Sequence, residues 1–344
     1  MSGPVISRPV ASTPPARRRP IRPAAGAAAL ALLLAGCGGA QGADEDERML
    51  VLTSTDVYAS LAEHVVDGAA DVEAVVDEPA LDPHSYEATP QDRLSVEEAD
   101  VLIANGGGYD PFLTQLATAA EKEDAVVQVI DGPNEHAHDD SGGSDDSGDS
   151  DGEDAHAGHE HGAAAEALAA NEHVWYDLPM MSDFVEDLAE ELGERSPEHA
   201  EEFTQNAEEL AAEIDALDEE ARAVNADGLQ TLATEPVSAH LLVRMGYEDV
   251  TDPDFLGAVE HGEDVSPRLQ QRALDAASGG EIDLLAYNSQ TETHQSERIR
   301  TAAEEAEVPV MDFRETLPDD TDDYLVWMRD TVSSVRQIAE DDDA

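Results

Sequence analysis

From residue 49 onward, short apolar runs alternate with stretches in which apolar residues recur every three or four positions. Met49-Leu50-Val51-Leu52-Thr53 predicts a strand, and Val57, Leu61 and Val65 predict the helix that follows it. A second strand is expected over residues 72–76, leading into loop chemistry at Pro79-Ala80-Leu81-Asp82-Pro83-His84. Residues 94–98 predict a helix and residues 100–105 a buried strand. Alternation of this kind predicts an α/β fold with a mostly parallel sheet and covering helices.

The middle of the chain carries longer helical signals. One helix is expected to begin near Ser182. A second has Ser196 at the N-cap, Pro197 at the first helical position and acids in the first turn. Phe203, Ala207, Leu210, Ile214, Leu217, Ala221 and Val224 then form one apolar stripe. Over residues 197–225 this helix would be about 43 Å long, enough to run along two lobes and hold them at a fixed separation. The alternation then resumes: a strand over 229–233 ending at Thr234-Glu235-Pro236, a helix over 268–277 and a strand over 282–286. A helix over 296–306, a strand over 308–313 running into Glu315, and a closing helix over 324–338 follow. The expected architecture is two lobes, each with a mostly parallel sheet and covering helices, joined by one long rigid helix. The first lobe takes residues 49–180, the helices 181–225 and the second lobe 226–340.

Two segments break the pattern. Residues 134–162 hold no apolar residue larger than alanine and cannot bury a core, so a disordered loop is expected there. Five of the chain's twelve histidines fall in it: His136, His138, His156, His159 and His161. Before the body, Arg17-Arg18-Arg19 precede an apolar run over residues 24–35, too short for a membrane span of about 20 residues. Charge followed by a short apolar core is the layout of a secretory signal peptide. The run ends in Leu34-Ala35-Gly36-Cys37, which resembles a bacterial lipobox with Cys37 as the lipidated new N-terminus. Cys37 is the only cysteine, so an internal disulfide is excluded. Residues 1–36 therefore read as a signal peptide and 37–48 as a flexible tether. This predicts a protein anchored on the outer face of the cytoplasmic membrane.

Charge narrows the partners. The chain has 79 acids against 18 Lys and Arg, a formal net charge of -61. Five of the arginines lie in residues 1–36, so the remainder is more acidic still. Phosphate binding needs a basic surface, which argues against nucleic acid. Salt adaptation and an acidic proteome explain this composition equally well.

In open α/β sheets ligands bind beyond the carboxyl ends of the strands. His84 follows the second expected strand, His173 follows the His-rich segment, and Glu235 and Glu315 each follow a strand of the second half. Two imidazoles and two carboxylates suit a borderline or fairly hard divalent cation. Spacing alone would not select these four, because they form no local motif.

A family resemblance does select them. Asp82-Pro83-His84-Ser85-Tyr86-Glu87-Ala88-Thr89-Pro90 resembles the DPHxYExTP signature of the zinc/manganese substrate-binding lipoproteins of ABC importers, and Asn105-Gly106-Gly107-Gly108-Tyr109 resembles their NGxxx stretch. Asn171-Glu172-His173-Val174-Trp175-Tyr176-Asp177 resembles their NPHxWxDP signature, with Glu172 in place of proline and Leu178 inserted before Pro179. The resemblance covers essentially all of the chain after the tether. It implies His84 and His173 as first-lobe metal ligands and Glu235 and Glu315 as second-lobe ligands. His240, one helical turn beyond Glu235, stands as an alternative or supplement. It also implies that the five loop histidines act as accessory ligands. Asn288 and Gln290 are expected to shape the pocket wall.

The function implied is capture of zinc, with manganese as the alternative, by a monomer that delivers the ion to an ABC permease. The carboxylate pair leans towards manganese and the histidine loop towards zinc. A zinc hydrolase, which keeps one position open for water, and a metal-binding surface adhesin are the alternatives from other classes.

Overall fold

In the computed structural model, residues 48–78, 81–130 and 168–342 are described. The signal-peptide and lipobox segment with Cys37, most of the tether, and the loop carrying His136, His138, His156, His159 and His161 lie outside them.

The first sheet is built from β1 (Leu50–Thr55), β2 (Asp71–Val76), β3 (Val101–Gly106) and β4 (Val126–Ile130), all parallel, in the order β2-β1-β3-β4. Helices α1 (Asp56–Val66), α2 (Pro90–Glu98) and α3 (Pro111–Ala119) connect its strands. The second sheet has β5 (Gln230–Ala233), β6 (Glu248–Asp249), β7 (Leu284–Tyr287) and β8 (Val310–Asp312), also parallel, in the order β6-β5-β7-β8. Both lobes therefore have the same strand order. In each, the order reverses between the first and third strands, which opens a crevice at their carboxyl ends.

Side-chain alternation along these strands sorts the core. Val51 joins the cluster that faces the middle of the molecule, whereas Leu52 joins the cluster under α2 and α3. In the second sheet Leu284 and Ala286 face the middle while Leu285 points to the outer cluster with Ala277 and Ile299. Period-two alternation of this kind, apolar on both faces, marks a sheet covered on both sides. The middle cluster is continuous across the molecule, from Val51 and Tyr58 through Trp175, Phe203 and Ile214 to Leu241, Leu284 and Phe313.

Between the sheets lie α4 (Leu178–Arg195) and α5 (Ala200–Arg222). The expected N-cap at Ser196 is not what the chain does. Ser196 closes α4, donating its N–H to Leu192 O, and a turn over Pro197–His199 intervenes before α5. The capping signal marked a corner between two helices, and α5 is about 34 Å long rather than 43 Å. Its predicted stripe is nonetheless its buried face: Phe203, Ala207, Leu210, Ile214, Leu217 and Ala221.

α5 is tied to both lobes. Asn206 Nδ2 donates to Val65 O of α1 at 3.0 Å. Twelve residues on, Asp218 accepts two hydrogen bonds from Arg244 of α6 (Ala239–Met245), at 2.5 and 2.7 Å. The closing helix α10 (Tyr324–Asp342) lies along α5 through Arg329–Glu213 and Arg336–Glu220. Helices α7 (Pro253–Glu260), α8 (Pro267–Gly279) and α9 (His294–Glu305) complete the second lobe. No helix among the described residues is long and apolar enough to cross a membrane.

Candidate metal centre

The loop after β2 folds on local signals. Asp82 Oδ1 accepts the His84 N–H at 2.9 Å, and Pro83 opens a single 3-10 turn over Pro83–Ser85. Thr89 then caps α2 in a reciprocal box with Asp92. His84 is held between these fixed points at the mouth of a cavity of about 610 Å³ between the lobes.

His173 enters from the other side. Asn171 Oδ1 accepts both the His173 N–H, at 2.9 Å, and its ring Nδ1–H, at 2.7 Å. The same carboxamide donates through Nδ2 to Pro236 O at 2.8 Å, which fixes its orientation and ties this ligand loop to the loop after β5. With its proton on Nδ1, His173 presents a lone pair at Nε2. Burial holds its pKa well below the ordinary range, and the His84 and His240 rings lower it further.

Glu315 closes the triangle from the loop after β8. Its side chain is 0% exposed. Asn288 Nδ2 donates to its Oε1 at 2.9 Å, whereas its Oε2 is buried without a hydrogen-bond partner. His84 Nε2 and His173 Nε2 are 3.2 Å apart, and Glu315 Oε2 lies 4.0 and 3.7 Å from them. A point equidistant from these three atoms is about 2.1 Å from each, within the 2.0–2.2 Å of zinc bonds to nitrogen and carboxylate oxygen. His84, His173 and Glu315 are the one group of three or more metal-ligating side chains brought to a common point among the described residues.

Glu235 lines the same cavity but stands beside this triangle. Asn288 Nδ2 also donates to Glu235 Oε2, at 2.7 Å, so one amide braces both carboxylates. His240 is placed differently from the expected alternative. Its Nε2 lies 3.1 Å from Asn171 O and its Nδ1 3.3 Å from Asp177 Oδ2. Both ring nitrogens are engaged, and His240 supports the His173 loop from behind instead of facing the cavity.

Burial and neighbouring charges set the protonation of these groups. Burial pushes the Glu315 carboxyl up to about 8; the His84 charge opposes the rise and the Glu235 and Asp82 charges add to it. Burial likewise raises Glu235 to about 7, partly offset by Thr291 and Asn288 hydrogen bonds. For His84, burial alone would lower the pKa, but its hydrogen bond to Glu172 and the charges of Glu315, Glu172 and Asp82 outweigh it and lift the value to about 9. The raised His84, Glu315 and Glu235 values favour the protonated forms of these three groups, and the lowered His173 value favours its neutral ring.

Several walls of the site had no assigned role in the sequence. Tyr109 is fully buried, packs edge-on to His84 with ring centroids 4.8 Å apart, and donates from its hydroxyl to Glu315 O at 3.3 Å. Gly106 makes this loop feasible: its φ is +79°, and a Cβ there would meet Ile130 O at 2.2 Å. Gln290, expected at the pocket wall, instead braces the Glu315 loop from outside the cavity lining, accepting the Glu315 N–H at 2.6 Å and donating to Leu81 O of the first lobe at 3.3 Å.

A family model described as zinc-uptake complex component A periplasmic matches residues 51–338, nearly the whole described body. The chain belongs to this family. Over 192 residues it is 30% identical to the manganese-binding lipoprotein MntA of Halalkalibacterium halodurans, a match covering 55% of each chain. It is 29% identical over 180 residues to the high-affinity zinc uptake system protein ZnuA of Paracoccus denitrificans, covering 49% of this chain and 55% of that one. The chain thus spans about 55% of the length of these curated relatives. Among solved structures it resembles FpvC of Pseudomonas aeruginosa in complex with Mn2+, with a TM-score of 0.63 at 18% identity, covering 86% of this chain and 99% of that one. A crystal structure of ZnuA aligns at a TM-score of 0.61 and 16% identity, over 85% of this chain and 99% of that one. At such identities the likeness is one of fold. It agrees with the two-sheet, parallel α/β architecture described above.

Proposed function

We propose that this protein captures a divalent first-row metal ion, zinc in the first instance, between its two lobes and delivers it to an ABC permease. The observation that carries this is the convergence of three acceptor atoms, His84 Nε2, His173 Nε2 and the unpartnered Glu315 Oε2, at a spacing one such cation fills. Three lone pairs facing one another in a buried site are mutually repulsive unless a cation or protons lie among them. Glu235 is proposed as the fourth ligand, reached by a side-chain rotation out of the Asn288 brace.

Family membership supports transport over catalysis. A hydrolase needs one coordination position kept for water and a base directed at it. Here a further carboxylate of the cavity, Glu235, is braced by Asn288 beside the triangle and is the protein group proposed for that position. Lipidation at Cys37, delivery from the outer face of the cytoplasmic membrane, the monomeric state and the lobe boundaries at 180 and 226 belong to the same proposal. So does the gathering of cations by the histidines of residues 134–162.

Zinc is preferred to manganese because affinity for a mixed nitrogen–oxygen site rises towards the end of the first row. The relatives bear both names: a manganese-binding lipoprotein and a zinc uptake protein. Competition titration of the metal-free protein with Zn2+ and Mn2+ tests the choice. Zinc is expected to bind at least about a hundredfold more tightly. Manganese displacing zinc at comparable concentrations would overturn the assignment.

A further inference from the structure

The signature that carries His173 departs from the family pattern at Glu172, which stands where the pattern has proline. In the structure this side chain serves the other histidine. Glu172 Oε1 lies 3.1 Å from His84 Nδ1, on the side of the ring away from the Nε2 that faces the metal triangle. We infer that Glu172 is a positioning residue of the metal centre, completing a carboxylate–histidine–metal chain through His84. The inference rests on the reading that His84 is a ligand.

His84 needs such a hold more than His173 does. It sits in a single 3-10 turn at the cavity mouth, and its side chain is 28% exposed against 3% for His173. Tyr109 packs edge-on to the ring and limits its tilt, but an aromatic edge does not decide which nitrogen carries the proton. A carboxylate at Nδ1 does decide it. It takes the Nδ1–H, leaves the lone pair on Nε2 and strengthens that nitrogen as a donor.

Glu172 is itself built in. Its carbonyl accepts from Asn105 Nδ2 and from the Val174 N–H, both at 2.9 Å. A Cβ on Gly107 would lie 3.4 Å from Glu172 Cβ, and one on Gly108 would lie 3.1 Å from Glu172 Oε2. The glycine run after β3 thus leaves the space this carboxylate occupies. Asn171 orients the His173 ring and Glu172 the His84 ring, so three consecutive residues supply one ligand and both orienting groups.

The test is a zinc titration of the full chain against a competing chelator, for wild type, Glu172→Ala, Glu172→Gln, His84→Ala and the His84→Ala/Glu172→Ala double variant. Glu172→Ala should weaken binding by about 10–100-fold, the usual effect of losing an orienting partner. Glu172→Gln, which still accepts the Nδ1–H, should recover part of that loss. In the His84→Ala background, Glu172→Ala should change affinity by less than about twofold, because no ring is left to orient. Wild-type affinity in Glu172→Ala, or the same loss with and without His84, would overturn the inference while leaving the transport reading standing. A wild-type protein that fails to bind zinc would overturn both.

Discussion

Glu315→Gln is expected to stabilise the metal-free protein while removing tight zinc binding. The carboxylate is buried, and only its Oε1 has a donor, from Asn288. Its folded pKa of about 8 lies above the roughly 4.3 of an unfolded glutamate. The sign follows: a raised acid penalises folding once ionised, so the cost is absent below about pH 4, grows as pH rises and is complete above about 8. Glutamine keeps the acceptor for Asn288, can place its amide towards the His173 Nε2 lone pair and carries no charge. Thermal unfolding of metal-free protein at pH 8 should show a gain on the order of 3 kcal/mol, roughly 5–10 °C in midpoint. Zinc affinity should fall on the order of a thousandfold, more than the loss of an orienting partner costs. A variant that is less stable than wild type when metal-free would mean that Glu315 is a structural acid.

The second large effect is on pH. Metal binding requires neutral imidazoles and ionised carboxylates, and His84, Glu315 and Glu235 hold protons up to about 9, 8 and 7. By these values two or more protons must leave at pH 7, and affinity should rise on the order of ten-thousandfold between pH 6 and 8. Ordinary histidine ligands would put this change near pH 6.5. Burial and the carboxylates around His84 move it upward. In the metal-free protein the raised His84 contributes stability that is full below about pH 6.5 and lost as pH passes about 9. Together with the carboxylates, it makes the metal-free protein lose stability from pH 5 to 9. The zinc-induced rise in melting temperature should widen over the same interval. Calorimetric titrations in buffers of different ionisation heat report the protons released; none released at pH 7 would contradict the account.

Legibility of the fold followed its chemistry. Strands that are apolar on both faces were readable because burial on two sides leaves continuous runs, as in Val101–Gly106 and Leu284–Tyr287. The two-residue β6 offers no such run and went unassigned, as did β4, although Val126-Val127-Gln128-Val129-Ile130 is a run of β-branched residues broken only by Gln128. α3, α6 and α7 also went unassigned; at nine, seven and eight residues they span too few turns to set up a helical repeat. Helix starts went astray where a cap signal had two meanings. Ser196-Pro197 made a corner, while Asp177, which caps α4 through the Met180 N–H, was passed over for a start near Ser182. Thr89-Pro90-Gln91-Asp92 is a capping box, yet the expected helix began only at residue 94.

The site was legible through motifs, not through spacing. His84 and His173 are 89 positions apart and meet because the strand order places their loops over one crevice. No local pattern encodes that meeting. Nor could the sequence separate Glu235 from His240. The distinction depends on His240 finding both Asn171 O and Asp177 behind the site, a matter of tertiary placement. Glu172 was visible as a departure from a pattern, but its role needed the 3.1 Å approach to His84.

The most direct test is anomalous diffraction at the zinc edge from crystals of the zinc-loaded chain. One strong peak is expected between the lobes, bonded at about 2.0–2.2 Å to His84 Nε2, His173 Nε2 and Glu315 Oε2, with Glu235 as the fourth ligand. A peak elsewhere, or one at this place lacking either histidine, would contradict the proposed metal centre.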